Sequence, residues 1–371
     1  MSWLLLGLVV GSLVYCVLVI VAARKYLSVR PLSLMKPMSL SVLKPLAGLD
    51  DGLESNLRTF FEQDYPQWEM LFAVRVESDA AVPVVRKLQA EYPHVSSRLL
   101  LVGEPTYPNA KVWSLQHMTE AASHDVLVMA DSDIRVGPGF LKAVASEFQD
   151  ERLGVSTCPY RAVPGRSFWT TLEAVGMNTE FLSGVIVARM LEGMKFALGP
   201  TATARKQALA EIGGWERLKD YLAEDFVLGN FAADKGWSVI LSSYVVEHHI
   251  GSQAFLPNAK HRLRWCRSTR RSRPAGYVGQ LFTNPLPLAL LLWAARPEWW
   301  PVLVLTMAIR AMAAYATAGW ILHDPLRWHL LPLQDVLSFL FWVAGFFGNT
   351  ILWRGRRYLL KKDGTFELSA S

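Results

Sequence analysis

The stretch VLVMADSDIRV, residues 126–136, decides the fold. Five apolar residues end directly at Asp131-Ser132-Asp133. Like charges two residues apart repel, and apolar surroundings make either carboxylate costly to ionise. A buried strand that ends in two acids therefore predicts that something cationic binds there.

The region around this stretch, residues 39–249, alternates between two patterns. Short apolar runs predict strands: SVLKPLAG, WEMLFAVRV, SRLLLV and DVLVMAD. Amphipathic segments between them predict helices: LESNLRTFFEQ, AAVPVVRKLQAEY and AKVWSLQHMTEAAS. This alternation is typical of βαβ units on a mostly parallel sheet, in which ligands bind beyond the carboxyl ends of the strands. Residues 168–190 fit either a buried helix or an amphipathic element on a membrane face.

The composition indicates a membrane protein. The 371 residues are 51% hydrophobic and 19% charged, with a mean hydropathy of +0.20. The basic residues cluster beside apolar segments, which favours contact with an anionic membrane face over nucleic-acid binding. Three dispersed cysteines without a C-x-x-C pair support neither a disulfide framework nor a zinc site.

The N-terminal segment, residues 3–23, contains no charge and is long enough to cross a bilayer as one helix. Arg24 and Lys25 follow it, which argues against a cleaved signal peptide. The positive-inside rule then places the N-terminus outside and the next domain in the cytoplasm.

The C-terminal third is apolar again, in residues 278–295, 301–322 and 333–353. The first of these is broken by two prolines. We expect two to three transmembrane helices here. Three full crossings would place the basic tail outside, so one segment, most simply the proline-broken one, is expected to be re-entrant or interfacial. Arg310 and Asp335 inside these segments fit a functional pair, a helix–helix contact or a snorkelling residue.

Four parts are therefore expected. They are an N-terminal transmembrane helix (1–25), a cytosolic domain (38–275), a C-terminal membrane region (276–355) and a basic tail (356–371).

Several acidic clusters could carry chemistry. Asp131 and Asp133 offer the oxygen ligands that Mg²⁺ or Mn²⁺ takes together with a diphosphate, although a solvated turn would look the same. Glu224-Asp225 opens a helix, where acids favour the helix dipole or act as a general base. Glu77-Ser78-Asp79 follows a strand and fits either a loop acid or a contact to a base or ribose.

Two basic clusters come later in the chain. The segment 260–273, KHRLRWCRSTRRSR, fits a lipid-headgroup anchor, a partner for a leaving diphosphate, or both. His248 and His249 follow an apolar strand. Extended neighbours point to opposite sides, so a joint metal site is not expected, and one of them alone as a ligand stays open.

Taken together, the motifs resemble the ceramide glucosyltransferases and the hopanoid-biosynthesis-associated glycosyltransferases, within the family 2 type of inverting enzymes. The resemblance covers most of the chain, through LKPLAGLDDGLESNLRTFFEQDYP, NAKVWSL, ADSDIRV, LAEDFVLG, LRW, RPAGY and LWRGRRY. It implies an α/β fold of the GT-A type, Rossmann-like with a mostly parallel sheet.

The resemblance implies roles for the acids. Asp79 helps to hold the nucleotide, with Glu77 as a secondary candidate. Asp131 and Asp133 hold the metal and the diphosphate. The acidic Asp133 follows the bacterial pattern, because the eukaryotic ceramide enzymes have no acid there. Asp225 is the expected catalytic base.

It also implies roles for basic and aromatic residues. Arg264 and Trp265 end the Q/R-x-x-R-W motif, near the diphosphate and the acceptor. His261 takes the first position of that motif, a departure that leaves its substrate-binding role open and leans towards the hopanoid branch. Lys44 and Lys111 line the nucleotide site, and Glu224 is expected to bind substrate beside them.

The implied function is inverting transfer of a sugar from a UDP-sugar donor to the hydroxyl of a membrane lipid. UDP-glucose and UDP-N-acetylglucosamine remain open as donors, and ceramide, hopanoid and diacylglycerol as acceptors. The expected location is a bacterial inner membrane, with the catalytic domain in the cytoplasm. A processive polysaccharide synthase and a non-catalytic membrane scaffold are the alternatives.

Overall fold

A computed structural model describes residues 2–29, 33–353 and 356–368. Its centre is a seven-stranded sheet in the order β3-β2-β1-β4-β8-β6-β9. The strands are β1 Leu40–Pro45, β2 Trp68–Val74, β3 Ser97–Leu101, β4 Val126–Ala130, β6 Leu153–Thr157, β8 Thr201–Arg205 and β9 Ser238–Leu241.

The first four strands of this sheet, β1 to β4, are parallel. The chain moves outward from β1 through β2 and β3, then returns to place β4 on the other side of β1. A ligand crevice forms at such a reversal, beyond the carboxyl ends of the two strands. All five residues of β4 are buried, and Leu43 pairs with Met129. Lys44 and Asp131 therefore lie together at the carboxyl ends of neighbouring strands, with Lys44 buried beneath the crevice.

The helices between residues 53 and 272 pack on this sheet, on a smaller second sheet or on neighbouring helices. They are α2 Leu53–Phe61, α3 Val82–Glu91, α4 Ala110–Ala121, α5 Phe140–Glu147, α6 Phe168–Gly176, α7 Leu182–Glu192, α8 Lys206–Glu211, α9 Glu224–Asp234 and α10 Phe255–Ser272. A π-helical turn, Met177–Phe181, joins α6 to α7. Residues 168–190 thus form a bent and mostly buried helical unit.

A small second sheet lies beside the crevice. It consists of β5 Ile134–Arg135, β7 Tyr160–Pro164 and β10 Val246–Ile250, with β10 in the middle. β10 runs antiparallel to β5, and the His249 N–H donates to the Asp133 carbonyl oxygen over 2.8 Å. This pairing brings a late strand against the acids that follow β4.

Two described helices are long and apolar enough to cross a membrane: α1 Ser2–Leu27, and Pro297–Ile321, which contains α13 Trp300–Ala314. A pair of helices is bent by 51° and makes a third candidate if it counts as one span. Its members are Pro274–Phe282, which begins with α11 Pro274–Gly279, and α12 Pro285–Ala295. The sequence predicts two to three C-terminal spans. The described residues contain two only if the bent pair counts as one span beside Pro297–Ile321.

The last apolar segment does not form a full-length helix. It divides between α14, Leu331–Gly345, and a strand that follows. The 15 residues of α14 extend about 22 Å, which is less than the roughly 30 Å of a bilayer core.

The two long helices run in the same direction. The Trp3 and Trp299 rings lie 5.9 Å apart at one end. At the other end the Arg24 guanidinium lies 5.6 Å from the Trp320 ring. The bent pair runs back along α1, because Arg296 Nε lies 3.4 Å from Ser2 Oγ. It therefore extends from Gly11, where a Cβ would lie 2.8 Å from the Phe282 ring, to the first residues of α1.

The C-terminal residues form a three-stranded antiparallel sheet of β11 Thr350–Trp353, β12 Arg356–Leu360 and β13 Phe366–Leu368. Its apolar face packs on Leu222, and the Phe366 N–H donates to the Asp220 carbonyl oxygen over 2.9 Å. Much of the segment expected as a basic tail thus packs beside α9. Residues 354–355 and 369–371 lie outside the described residues.

Arg310 and Asp335 form a buried ion pair between α13 and α14. Two guanidinium nitrogens donate to the two carboxylate oxygens over 2.9 and 2.8 Å. Both side chains are at most 3% exposed. The structure therefore supports the helix–helix contact.

We predict that Arg310→Ala lowers the free energy of unfolding by about 3–5 kcal/mol, because it leaves a buried carboxylate without its cation. The double variant Arg310→Met/Asp335→Leu should recover most of this loss. Thermal unfolding in detergent measures both. The matched control is Arg296→Ala, whose partner Glu298 lies at the exposed surface. Equal stability of Arg310→Ala and Arg296→Ala would contradict the prediction.

Candidate active site

One lysine joins the acids at the carboxyl end of the sheet. Lys111 Nζ lies 2.8 Å from Asp131 Oδ1 and 3.1 Å from Glu224 Oε1. It also donates to the Gly199 carbonyl oxygen over 3.2 Å. Burial lowers the pKa of Lys111, but the two carboxylates outweigh burial and hold the pKa above its ordinary value. The lysine is therefore a fixed cation between two acidic elements.

Asn109 sets the position of this lysine. Its side-chain oxygen caps α4 by accepting from the N–H groups of Lys111 and Val112, over 3.0 and 3.3 Å. Its amide nitrogen donates to Glu224 Oε2 over 3.1 Å and to the Tyr221 carbonyl oxygen over 2.9 Å. The starts of α4 and α9 are tied together through one side chain.

Lys44, at the end of β1, supports the same acids from below. Its side chain is fully buried, and Nζ donates to the Asp131 carbonyl oxygen over 2.6 Å. The ammonium also lies 3.8 Å from the centre of the Phe60 ring. Burial lowers the pKa of Lys44 to about 7, against the effect of Asp131 and Asp133.

The two aspartates of the D-x-D triplet have different surroundings. Burial and Asp133 raise the pKa of Asp131 against the effect of Lys111. Asp133 Oδ2 lies 3.1 Å from His248 Nε2. Burial raises the pKa of Asp133, but His248 outweighs it and keeps the pKa below its ordinary value. Asp133 Oδ1 is buried and has no hydrogen-bond partner among the described residues.

Asp225 lies in the first turn of α9, beside the Gly199 backbone. A Cβ at Gly199 would lie 3.1 Å from Asp225 Oδ2. The helix reaches this position because Gly229 lets it touch the chain at Phe196, where a Cβ would lie 2.4 Å from the Phe196 Cα. Burial and the neighbouring Glu224 raise the pKa of Asp225 to about 7, against the effect of Lys111. This carboxyl is poised to take up a proton near neutral pH.

The two acids after β2, Asp79 and Glu77, have different surroundings in the structure. Asp79 accepts from the Gly48 N–H over 3.0 Å and from the Ala81 N–H over 2.9 Å. It thereby fixes the loop that follows β1. The Glu77 side chain is exposed and forms an ion pair with Arg86 at the surface. Of the two, only Asp79 is tied to the crevice.

The R-W motif lies on α10, with Arg264 directly before Trp265. His261 Nδ1 lies 2.9 Å from Glu173 Oε1 of α6, and its ring lies 5.4 Å from that of Trp265. Glu173 also accepts from the Asn258 side-chain amide over 2.5 Å. The residue that departs from the motif is thus held by a buried carboxylate.

A row of aromatic rings connects the D-x-D triplet with α10. His248 meets Tyr160 edge to face at 5.5 Å, Tyr160 stacks on Phe181 at 5.3 Å, and Phe181 lies 6.1 Å from Trp265. The D-x-D triplet after β4 and Trp265 of α10 are therefore linked through packed rings. Glu77 pairs with Arg86 instead.

The rest of the basic segment does not face the crevice. Arg267 and Arg270 donate to backbone carbonyl oxygens of residues 346–350, just after α14. These contacts hold the C-terminal sheet against α10. Arg262 donates to Ser338 Oγ of α14 over 3.2 Å.

Three residues of the candidate site were not predicted: Asn109, Tyr160 and Glu173. For a fourth, His248, the sequence leaves open only a role as a single ligand. For Asn109, the sequence NAKVW did carry a helix-cap signal. His248 was noted after its strand, but nothing in the sequence indicated that this strand pairs beside Asp133. No sequence signal marked Tyr160 or Glu173, because their roles depend on contacts between distant elements.

The carboxylates of Asp131 and Asp133 fit a divalent cation whose remaining coordination positions are filled by a bound ligand. The described residues contain no group of three or more His, Cys, Asp or Glu side chains that could hold a metal alone. Asp131 and Asp133 provide carboxylate oxygens, one of them buried and without a partner. Such a pair suits Mg²⁺ or Mn²⁺ when substrate phosphates supply further ligands.

Comparison with solved structures identifies the class of fold. The mannosyltransferase PcManGT from Pyrobaculum calidifontis, in complex with GDP-Man and Mn²⁺, superimposes with a TM-score of 0.57. The match covers 93% of this chain and 99% of that one, at 17% sequence identity. The predicted glycosyltransferase fold with a mostly parallel sheet is thereby confirmed.

The particular family follows from the sequence. Residues 4–366 match the model of glycosyl transferase family 21, and the chain belongs to this family. Ceramide glucosyltransferase 1 of Caenorhabditis elegans is 30% identical over 227 residues, which are 61% of this chain and 48% of that protein. The ceramide glucosyltransferase of Komagataella phaffii is 32% identical over 131 residues, which are 34% and 26% of the two chains. The chain thus spans about half or less of these relatives' length.

Proposed function

We propose that the chain is an inverting hexosyltransferase that moves a sugar from a UDP-sugar to the hydroxyl of a membrane lipid. The observation that carries this proposal is the placement of Asp225. A carboxyl with a pKa of about 7 lies next to Lys111, the cation that joins Asp131 to Glu224. The ceramide glucosyltransferases among the relatives support glucose as the sugar and ceramide as the acceptor. A hopanoid acceptor rests on the sequence motifs alone.

In this proposal, Asp131 and Asp133 hold Mg²⁺ or Mn²⁺. The bound cation would offset charge on the departing diphosphate. Lys44 and Lys111 keep the aspartates in place and line the nucleotide site, with Glu224 as the partner of Lys111. Asp79 holds the loop after β1 against the nucleotide. Glu77 would reach the ribose only after its ion pair with Arg86 opens.

The acceptor side uses the other residues. Asp225 removes the proton from the lipid hydroxyl as that oxygen attacks the anomeric carbon, and a pKa near the working pH suits a general base. Arg264 assists the diphosphate, and Trp265 and His261 border the acceptor. The attack is direct and needs no covalent enzyme intermediate, so the anomeric configuration inverts.

The membrane arrangement follows from the helix directions. α1 and Pro297–Ile321 cross in parallel with their first residues outside, so the bent pair must carry the chain back across. The element that does not cross is then α14, because its start packs on Leu172 of α6 and its end lies against Arg270 of α10. This proposal differs from the sequence-based expectation that the proline-broken segment is re-entrant, and the 51° bend of that pair is compatible with a broken span or a re-entrant loop. The C-terminal sheet and the catalytic domain then both face the cytoplasm of a bacterial inner membrane.

We predict that Asp225→Asn abolishes lipid glycosylation, with a loss of about 100-fold or more, because the amide cannot accept the proton. The assay is mass spectrometry of lipids from cells that express the chain, which should carry a new hexose mass. The same assay separates the rivals, since a processive synthase would yield a polymer ladder.

The matched control is Asp234→Asn, at the exposed end of the same helix, which should keep full activity. Unchanged turnover in Asp225→Asn at equal expression would favour the non-catalytic scaffold.

We also predict a pH dependence that reports Asp225. The base must be deprotonated, so kcat/KM should rise with pH through about 7 and level off above it. Below that point the rate should fall about tenfold per pH unit, because protonation removes the base. Initial rates in detergent between pH 5.5 and 8.5 measure this. A flat profile would contradict the assignment.

A further inference from the structure

A polar cluster lies in the membrane region, outside the residues that the proposed mechanism uses. It consists of Tyr15 of α1, Glu180 of the π-helical turn, Ser183 of α7, and Thr283 and Asn284 before α12. We call these five residues the Glu180 cluster. Polar side chains in such a region usually bind one another or a ligand.

The carboxylate at its centre is only half satisfied. Asn284 Nδ2 and Thr283 Oγ1 lie 2.9 and 3.2 Å from the same oxygen, Glu180 Oε1. Within the described residues, Oε2 accepts no hydrogen bond and Glu180 forms no ion pair. The nearby Arg310 cannot serve, because both oxygens of Asp335 already bind it.

Two buried oxygens in the described part of the chain also lack partners, one on Asn284 beside this carboxylate and one on Ser12 of the same helix as Tyr15. Asn284 is 1% exposed, and its Oδ1 atom has no hydrogen-bond partner among the described residues. Ser12 Oγ, one helical turn before Tyr15, is fully buried and equally unpartnered. Such atoms are rare in folded proteins and call for an explanation. A ligand with hydrogen-bond donors would satisfy both Glu180 and Asn284.

There is room for such a ligand. Gly184 follows Glu180 by four residues, so the two share a helix face. A Cβ at Gly184 would meet no atom within 4 Å. Tyr15 and Glu180 are themselves only half-buried. The cluster is therefore open on the side of Gly184.

The cluster adjoins the acceptor end of the active site. Phe181, the residue after Glu180, stacks on Tyr160 and lies 6.1 Å from Trp265. Both of these rings border the site that contains the D-x-D triplet. A lipid whose hydroxyl approaches Asp225 would thus have its neighbouring polar groups close to Glu180.

We propose that the Glu180 cluster binds the polar head of the lipid acceptor and selects its class. Glu180 Oε2 accepts a hydrogen bond from a second hydroxyl or an amide N–H of the lipid, and Asn284 Oδ1 accepts another. Lipids that carry such donors, as N-acyl sphingoid bases do, fit the site. Diacylglycerol does not, because its single hydroxyl is the reacting one. This inference rests on the proposed function.

The test compares Glu180→Gln with wild type in detergent, with N-acylsphingosine and its N-methyl derivative as acceptors. Glutamine can still accept from Asn284 and Thr283, but it places an NH₂ group where Oε2 was. We expect the KM for N-acylsphingosine to rise about 10- to 100-fold, with the KM for the UDP-sugar unchanged. The preference for the parent lipid over the N-methyl derivative should also shrink.

Two further variants keep the test sharp. Gly184→Leu fills the open space without removing a hydrogen bond. It should raise the KM for N-acylsphingosine in the same way, and it keeps the test available if Glu180→Gln folds poorly. Glu192→Gln, at the exposed end of α7, should behave as wild type. Labelling by a photoactivatable N-acylsphingosine reports binding without turnover. It should fall in Glu180→Gln and Gly184→Leu and stay at the wild-type level in Glu192→Gln.

The outcomes separate the two proposals. Lipid labelling of the wild type that depends on Glu180, without any sugar transfer, would support this site and contradict the proposed function. Wild-type KM, labelling and lipid preference in both Glu180→Gln and Gly184→Leu would overturn the site. So would a loss of thermal stability with both substrates affected equally, since that indicates a purely structural role.

Discussion

The contact on which the site depends is the double ion pair of Lys111 with Asp131 and Glu224. It joins β4, α4 and α9, which are far apart in sequence, at one point beyond the sheet. Without this cation, three carboxylates would lie together in a partly buried place and repel one another. Lys111 lowers the pKa of Asp225, but burial and Glu224 outweigh this effect and keep the pKa raised.

A second constraint is the position of the catalytic domain against the membrane helices. The inner half of α1 packs into the core of the domain, from Cys16 to Tyr26. The row of rings from His248 to Trp265 then spans from the D-x-D acids to α10, which α14 supports. Under the proposed function, this arrangement would hold the reacting groups where a lipid hydroxyl can reach them, and such positioning lowers the entropic cost of a reaction.

The sequence predicts those features whose cause is local. β4 is recognisable because a short apolar run ends in acids, and α1 because its apolar run is long and uncharged. The proximity of Lys44 to Asp131 follows from the parallel order of β1 and β4. β10 lies beside Asp133 through a contact between residues 115 positions apart in the chain. Glu173 binds His261 across 88 positions. No periodicity in the sequence reveals such contacts. Hydropathy also predicts a membrane span over residues 333–353. It does not show that α14 is short, because the apolar segment continues into β11.

The central claim is that the acids after β4 become a nucleotide-sugar site when a divalent cation joins them. Calorimetry of the full chain in detergent, titrated with UDP-glucose and UDP-N-acetylglucosamine, tests it most directly. With Mg²⁺ or Mn²⁺ present, one of these donors should bind at least about tenfold more tightly than in EDTA. Equal affinity in EDTA, or no binding of either donor in any condition, would contradict the account.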